Sequence, residues 1–110
     1  MERLRAEGAL VLGKVNLSER AYWMSPLAPS GYSGVGGQVV NPHGRSLQVL
    51  GSSTGSAVAA AARFAAATIG TETTGSIIAP AAANGVAGMR PTLGLVSSDL
   101  IVPISSALAP

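Results

Sequence analysis

The run of apolar and polar residues changes character several times along the chain. Glu2 to Glu7 mixes charge signs and reads as the end of a polar helix stopped at Gly8. Ala9-Leu10-Val11-Leu12 is wholly apolar, too short for a helix, and fits a buried strand. Asn16 or Ser18 can cap a short helix running through Trp23. From Ser25 to Gly55, prolines and glycines interrupt every periodic pattern, so this segment reads as one long loop, which in a compact domain is usually functional or supported by its neighbours. Ser56 to Ala67 is Ala-rich and suits a closely packed helix. Thr68 to Thr71 reads as a strand, Thr73 to Ser76 as a turn, and Ile77 to Ala83 as a helix with Pro80 in its first turn. Val86–Met89 and Leu93–Val96 are two further strand candidates. Strand, helix and strand alternate, which predicts the α/β class.

Composition sharpens this picture. Only 11% of the 110 residues are charged, against about 25% in an ordinary soluble domain. Such a sequence resembles the interior of something larger. The absence of Cys removes thiolate nucleophiles and zinc ribbons, and the single His43 excludes any site needing two imidazoles, so no metal or cofactor is expected. Seven scattered cations and a net charge of +2 leave no basic stripe for nucleic acid. Residues 1–7 lack the apolar core of a signal peptide, and the apolar stretch from Ala57 to Ile69 is broken by Arg63, too short to cross a bilayer. A cytoplasmic protein without a membrane role is the expectation.

Two clusters carry the candidate chemistry: Gly51-Ser52-Ser53-Thr54-Gly55-Ser56 and Gly70-Thr71-Glu72-Thr73-Thr74-Gly75-Ser76. Neither has the Lys of a phosphate-binding loop, and Gly-x-Ser-x-Gly is absent. A helix of about a dozen residues advances roughly 18 Å and a following strand returns roughly as far, so Ser52 and Ser76 are predicted at one edge. Backbone N–H groups from Thr73 to Ser76 would then lie in a tight turn able to hold a developing oxyanion. The same serines also suit two capped helix starts with no chemistry.

The segments 51–59, 70–77, Pro80-Ala81, Asn84-Gly85-Val86, Gly88-Met89-Arg90-Pro91-Thr92 and Gly94 to Ser97, with Gly8 to Glu19 before them and Ile101 to Ser105 after, resemble the amidase signature family of serine hydrolases. The middle segment, Ser30 to Gly34 through Gln38 to Pro42, is most similar to its peptide-amidase-like and broad fungal and bacterial branches. The resemblance implies an α/β/α sandwich with a mixed sheet, of which residues 1–110 would be an incomplete core part, lacking the upstream Lys segment and the C-terminal half. It implies a Ser-Ser-Lys triad that hydrolyses carboxylic or peptide amides through an acyl-enzyme. On this chain Ser76 matches the nucleophile and Ser52 the bridging serine, on a cis Gly51–Ser52 peptide bond. Thr73, Thr74, Gly75 and Ser76 match the oxyanion donors, and Ser53 a supporting serine. Such a relay needs a neutral amine of lowered pKa. The one lysine, Lys14, matches a different and more structural family position.

Glu72 is read as a hydrogen-bonding partner of local N–H groups, Tyr22 and Trp23 as packing residues, and His43 as a surface loop residue. Two functional readings follow. In one, the chain is an amidase segment acting on a small amide or peptide amide when the enzyme is complete. In the other, it is an inactive fragment or assembly module that folds only with a partner, whether missing enzyme segments or a second copy.

Overall fold

The computed structural model describes residues 1–105; residues 106–110, where the sequence departs from the family resemblance, lie outside them. In chain order the elements are helix α1 (Glu2–Ala6), a tight turn over Glu19–Tyr22, strands β1 (Tyr32–Ser33) and β2 (Gly37–Gln38), and helices α2 (Thr54–Ala61) and α3 (Ile78–Ala83). The strands form one antiparallel pair, with Tyr32 opposite Gln38 and Ser33 opposite Gly37.

Helices α1, α2 and α3 end in the same way. After α1 the amide of Ala9 bonds the Leu4 carbonyl at 2.9 Å; after α2 Phe64 bonds Ala59 at 2.9 Å; after α3 Val86 bonds Ala81 at 3.0 Å. Each closure needs a left-handed residue just beyond the helix, supplied by Gly8 (φ +85°), Arg63 (φ +59°) and Gly85 (φ +67°). Two are glycines, and those helices stop where the sequence predicts. At Arg63 no glycine announces the stop, so α2 is shorter than the predicted Ser56–Ala67 helix and begins two residues before it.

The predicted helix through Trp23 is also replaced. Arg20, Ala21 and Tyr22 take φ of +48°, +53° and +67°, a left-handed turn in which the Ala21 amide bonds the Ser18 carbonyl at 3.0 Å. Ser18 does not cap it. Its hydroxyl points inward, accepts from the Gly31 amide at 2.8 Å and lies 3.3 Å from Thr54 Oγ1, with the residue fully buried.

The predicted strands at 9–12, 68–71, 86–89 and 93–96 do not form, and the only sheet among the described residues is the β1–β2 pair. A strand is completed by a ladder partner, and these segments have none there. Leu10 and Leu12 are accordingly 88% and 74% exposed rather than buried. Segment 69–71 is held by side chains instead. Ser56 Oγ donates to the Ile69 carbonyl at 2.6 Å, and Ser53 Oγ donates to the Thr71 carbonyl at 2.9 Å while accepting the Thr71 amide at 3.0 Å.

Residues 52–56 form the centre. On one side the Ser18 amide bonds the Ser52 carbonyl at 3.0 Å and the Gly55 amide bonds the Asn16 carbonyl at 2.9 Å; on the other the Ser53 amide bonds the Ser76 carbonyl at 3.0 Å. The buried apolar side chains are small or few, Val49, Ala57, Ala59 and Ala81 with Pro80, so polar contacts carry much of the interior. Fully buried Asn84 donates to the Val49 and Pro80 carbonyls at 3.0 and 2.8 Å, and buried Asn41 donates to those of Gln48 and Ala83 at 2.9 and 3.1 Å. These two amides latch the end of the long loop to α3.

Gly55 gives a test whose sign separates two effects. Helix propensity favours Gly55→Ala by roughly 0.5–1 kcal/mol. A Cβ there, however, would fall onto the Asn16 carbonyl oxygen and come within 2.9 Å of both Asn16 N and Val15 Cβ. Backbone cannot step aside as a side chain can, so Gly55→Ala is expected to destabilise by about 1–3 kcal/mol. Gly13→Ala, with nothing within 4 Å, should be close to neutral. Thermal unfolding of the two variants checks the contrast.

Candidate active site

The strap at 52–56 sets the position of both serine clusters. Ser52 and Ser53 precede α2, the chain returns through residues 69–71, and the turn at 73–76 leads into α3. The Ser53 amide to Ser76 carbonyl bond fixes the two clusters side by side, at the shared edge that chain geometry predicts. The Gly51–Ser52 peptide bond is cis. Gly51 is required there by space, since a Cβ would collide with Ser18 Oγ and Tyr22 Oη.

Ser52, Ser53, Thr73 and Ser76 line one cavity of about 610 Å³. Glu72 borders it too, and the wall facing them includes Leu17, Arg20, Trp23 and Met24 and residues 101–104. Ser52 is 4% exposed, and among the described residues neither its hydroxyl nor that of Ser76 makes a hydrogen bond, to each other or to any other group. Neither α2 nor α3 has a side-chain cap from the residue preceding it. Ser53 is occupied otherwise, since its hydroxyl donates to the Thr71 carbonyl and accepts from the Thr71 amide.

The turn after Glu72 is organised by that carboxylate. Glu72 Oε2 accepts the amides of Ile77 at 2.7 Å and Ile78 at 3.0 Å, reaching forward to satisfy the start of α3. Burial alone raises its pKa; the amides of Ile78, Ile77 and Gly75, together with the Arg90 charge, outweigh burial and hold it below the ordinary value. Gly75 takes φ +76°, so its glycine is required by conformation. Of the four expected anion donors, Thr73 and Ser76 border the cavity, Thr74 and Gly75 do not, and the Gly75 amide serves Glu72.

Other expectations need correction or refinement. Trp23 is 68% exposed and lines the cavity instead of packing in a core, while Tyr22 donates to Ser30 Oγ at 2.8 Å. His43 is exposed as predicted, yet its Nε2 lies 2.9 Å from the Asn84 carbonyl oxygen and joins the latch. Lys14 is exposed and is not among the residues lining the cavity. Sequence reasoning misses Asn16 and Ser18 as anchors. Asn16 donates to the Gly37 carbonyl at 2.8 Å and accepts from Ser33 Oγ at 2.6 Å, a role that its sequence neighbours do not announce. Among the described residues no cluster of three metal-ligating side chains occurs, and no helix is long and apolar enough to cross a membrane.

Comparison with known proteins bears directly on this geometry. The family model described as Amidase matches residues 1–109. A protein named probable amidase from Arabidopsis thaliana is 47% identical over 105 residues, which cover 96% of this chain and 20% of the plant protein. A glutamyl-tRNA(Gln) amidotransferase subunit from Symbiobacterium thermophilum is 44% identical, covering 98% of this chain and 21% of that protein. The crystal structure of a peptide amidase bound to the competitive inhibitor chymostatin superposes with a TM-score of 0.95 at 55% identity, over 99% of this chain and 22% of the other. The chain thus spans about a fifth of the length of these relatives.

Glu72→Gln tests the organisation of the turn. Glutamine retains an acceptor but loses the charge, and hydrogen bonds to a charged group are worth about 1.5–3 kcal/mol. Because the carboxyl titrates lower folded than unfolded, its stabilisation is complete above about 4.5, the ordinary glutamate value, and is lost as pH falls through the lower folded value. The variant should therefore be less stable than the parent at pH 7, and the gap should narrow as pH falls through the folded value. Chemical denaturation across a pH series checks this.

Proposed function

The chain belongs to the amidase family, and on that premise we propose that it carries the nucleophile half of a Ser-Ser-Lys amide hydrolase. The observation that supports the reading most is the pair of uncommitted hydroxyls, Ser52 and Ser76, on one cavity beside a turn whose Thr73 and Ser76 residues border the same space.

In the proposed reaction Ser76 Oγ attacks the amide carbonyl and its proton passes through Ser52 to a neutral lysine amine. The carbonyl oxygen becomes negative as the bond forms, and the amides of Thr73 and Ser76, the two expected donors whose residues border the cavity, stabilise it. Glu72 keeps the turn in shape by holding the amides of Gly75, Ile77 and Ile78. Ser53, bonded on both sides to Thr71, holds the two clusters in register. The C–N bond then breaks, the protonated amine or ammonia leaves, and water hydrolyses the Ser76 ester by the reverse relay. Lys14 is not among the residues lining this cavity, and in the proposed reaction the lysine is one that the full protein supplies.

The larger fold follows the same proposal. Exposed Leu10, Leu12, Phe64, Leu95 and Val102 would be covered in an α/β/α sandwich, where 9–12, 68–71, 86–89 and 93–96 would find ladder partners. The same exposure supports a second reading, in which the chain contributes structure but no chemistry and folds only with a partner.

Activity distinguishes them. In the full protein, Ser76→Ala should lower ammonia release from a primary amide by roughly 10⁴-fold or more, and Ser52→Ala by about 10²–10⁴-fold. Mass spectrometry should show an acyl adduct on Ser76 in the parent. Hydrolysis that survives Ser76→Ala would overturn the catalytic reading.

A further inference from the structure

Resting on the amidase reading, we propose that Arg20 is a specificity-determining residue that favours amide substrates carrying a carboxylate near the scissile bond. Arg20 lines the cavity that holds Ser52 and Ser76. Among the described residues no carboxylate pairs with its guanidinium and no hydrogen bond engages it. The other charged lining residue is Glu72, whose carboxylate is taken by backbone amides and lies in the field of Arg90. Glu19, the neighbour of Arg20, is turned away, its Oε2 accepting the Gly34 amide at 3.2 Å. The cavity therefore presents one uncommitted cation among Leu17, Trp23, Met24 and Ile101–Ile104.

The backbone under Arg20 is fixed rather than loose. Its carbonyl accepts the Trp23 amide at 2.9 Å, and the turn closes through the Ala21 amide on Ser18. Ser18 in turn donates its own amide to the carbonyl of Ser52. Arg20 thus sits two residues from an anchor that grips one of the two serines, and its position relative to them is set by a short bonded path. A planar guanidinium with free N–H groups is matched to a carboxylate, which it can engage through two parallel hydrogen bonds. The apolar wall beside it lowers the competition from water.

The test compares two primary amides on one scaffold, N-acetyl-glutamate α-amide and N-acetyl-methionine α-amide, with ammonia release from the full protein as readout. The parent's ratio of kcat/KM, glutamate over methionine, should fall about 10-fold in Arg20→Gln, chiefly through KM for the glutamate amide. Arg20→Lys, which keeps the charge without the fork, should recover part of the ratio. Raising ionic strength should reduce the ratio in the parent and leave it unmoved in Arg20→Gln. A ratio unchanged in Arg20→Gln, with hydrolysis still dependent on Ser76, overturns the role of Arg20 alone. Absence of Ser76-dependent hydrolysis of either amide by the parent overturns the amidase reading and this inference with it.

Discussion

Backbone groups in residues 52–55 hold the structure together. The carbonyl of Ser52 and the amide of Gly55 are bonded to the segment at 16–18, while the amide of Ser53 is bonded to Ser76. Three stretches distant in sequence are thereby clamped across one short strap. With so few large buried apolar side chains, loss of this clamp could not be offset by hydrophobic burial elsewhere. The fold around the site is accordingly organised by directional bonds, which fix relative position more tightly than apolar contact does.

The same constraint explains how hydroxyls are divided among roles. Ser18, Ser53 and Ser56 lie within two residues of strap bonds or belong to the strap, and each spends its oxygen on backbone of another segment. Ser52 and Ser76 contribute their carbonyls to the clamp and keep their side chains out of it. A serine held through its main chain has a hydroxyl in a fixed place with no structural duty. In the proposed reaction the two hydroxyls must come within hydrogen-bond reach of one another, and nothing in the clamp engages either of them.

Legibility in the sequence follows the range of the physics involved. Helix ends marked by Gly8 and Gly85 are readable because a left-handed closure selects glycine locally, whereas Arg63 adopts the same conformation without a local mark. The juxtaposition of Ser52 and Ser76 is anticipated from a helix out and a strand back, but it is held by the Ser53 amide on the Ser76 carbonyl, since α2 is shorter than the helix assumed and the return at 68–71 is not a strand. The strands are misjudged because apolar runs report burial, and burial by a ladder partner is a property of the whole sheet. The β1–β2 pair is hidden by its glycines. Asn84, Asn41 and Ser18 escape notice, since a polar residue's burial depends on carbonyls contributed by remote segments, such as Val49 for Asn84. Trp23 reads as core by residue type, but its place on the cavity wall follows from a left-handed turn that none of its residues encodes.

The contact at Gly55 has a consequence for how such a site can diversify. Where the strap meets Asn16 there are no side chains between the two backbones, only peptide groups in direct contact. That junction has no rotamers to repack and no volume to tune, so its geometry does not depend on which residues surround it. The walls made by Arg20, Trp23 and Met24 on one segment and by Val102 on another lie outside that junction, and their side chains can be exchanged without touching it. Variation can therefore change what enters the cavity while the strap stays seated on the segment at 16–18.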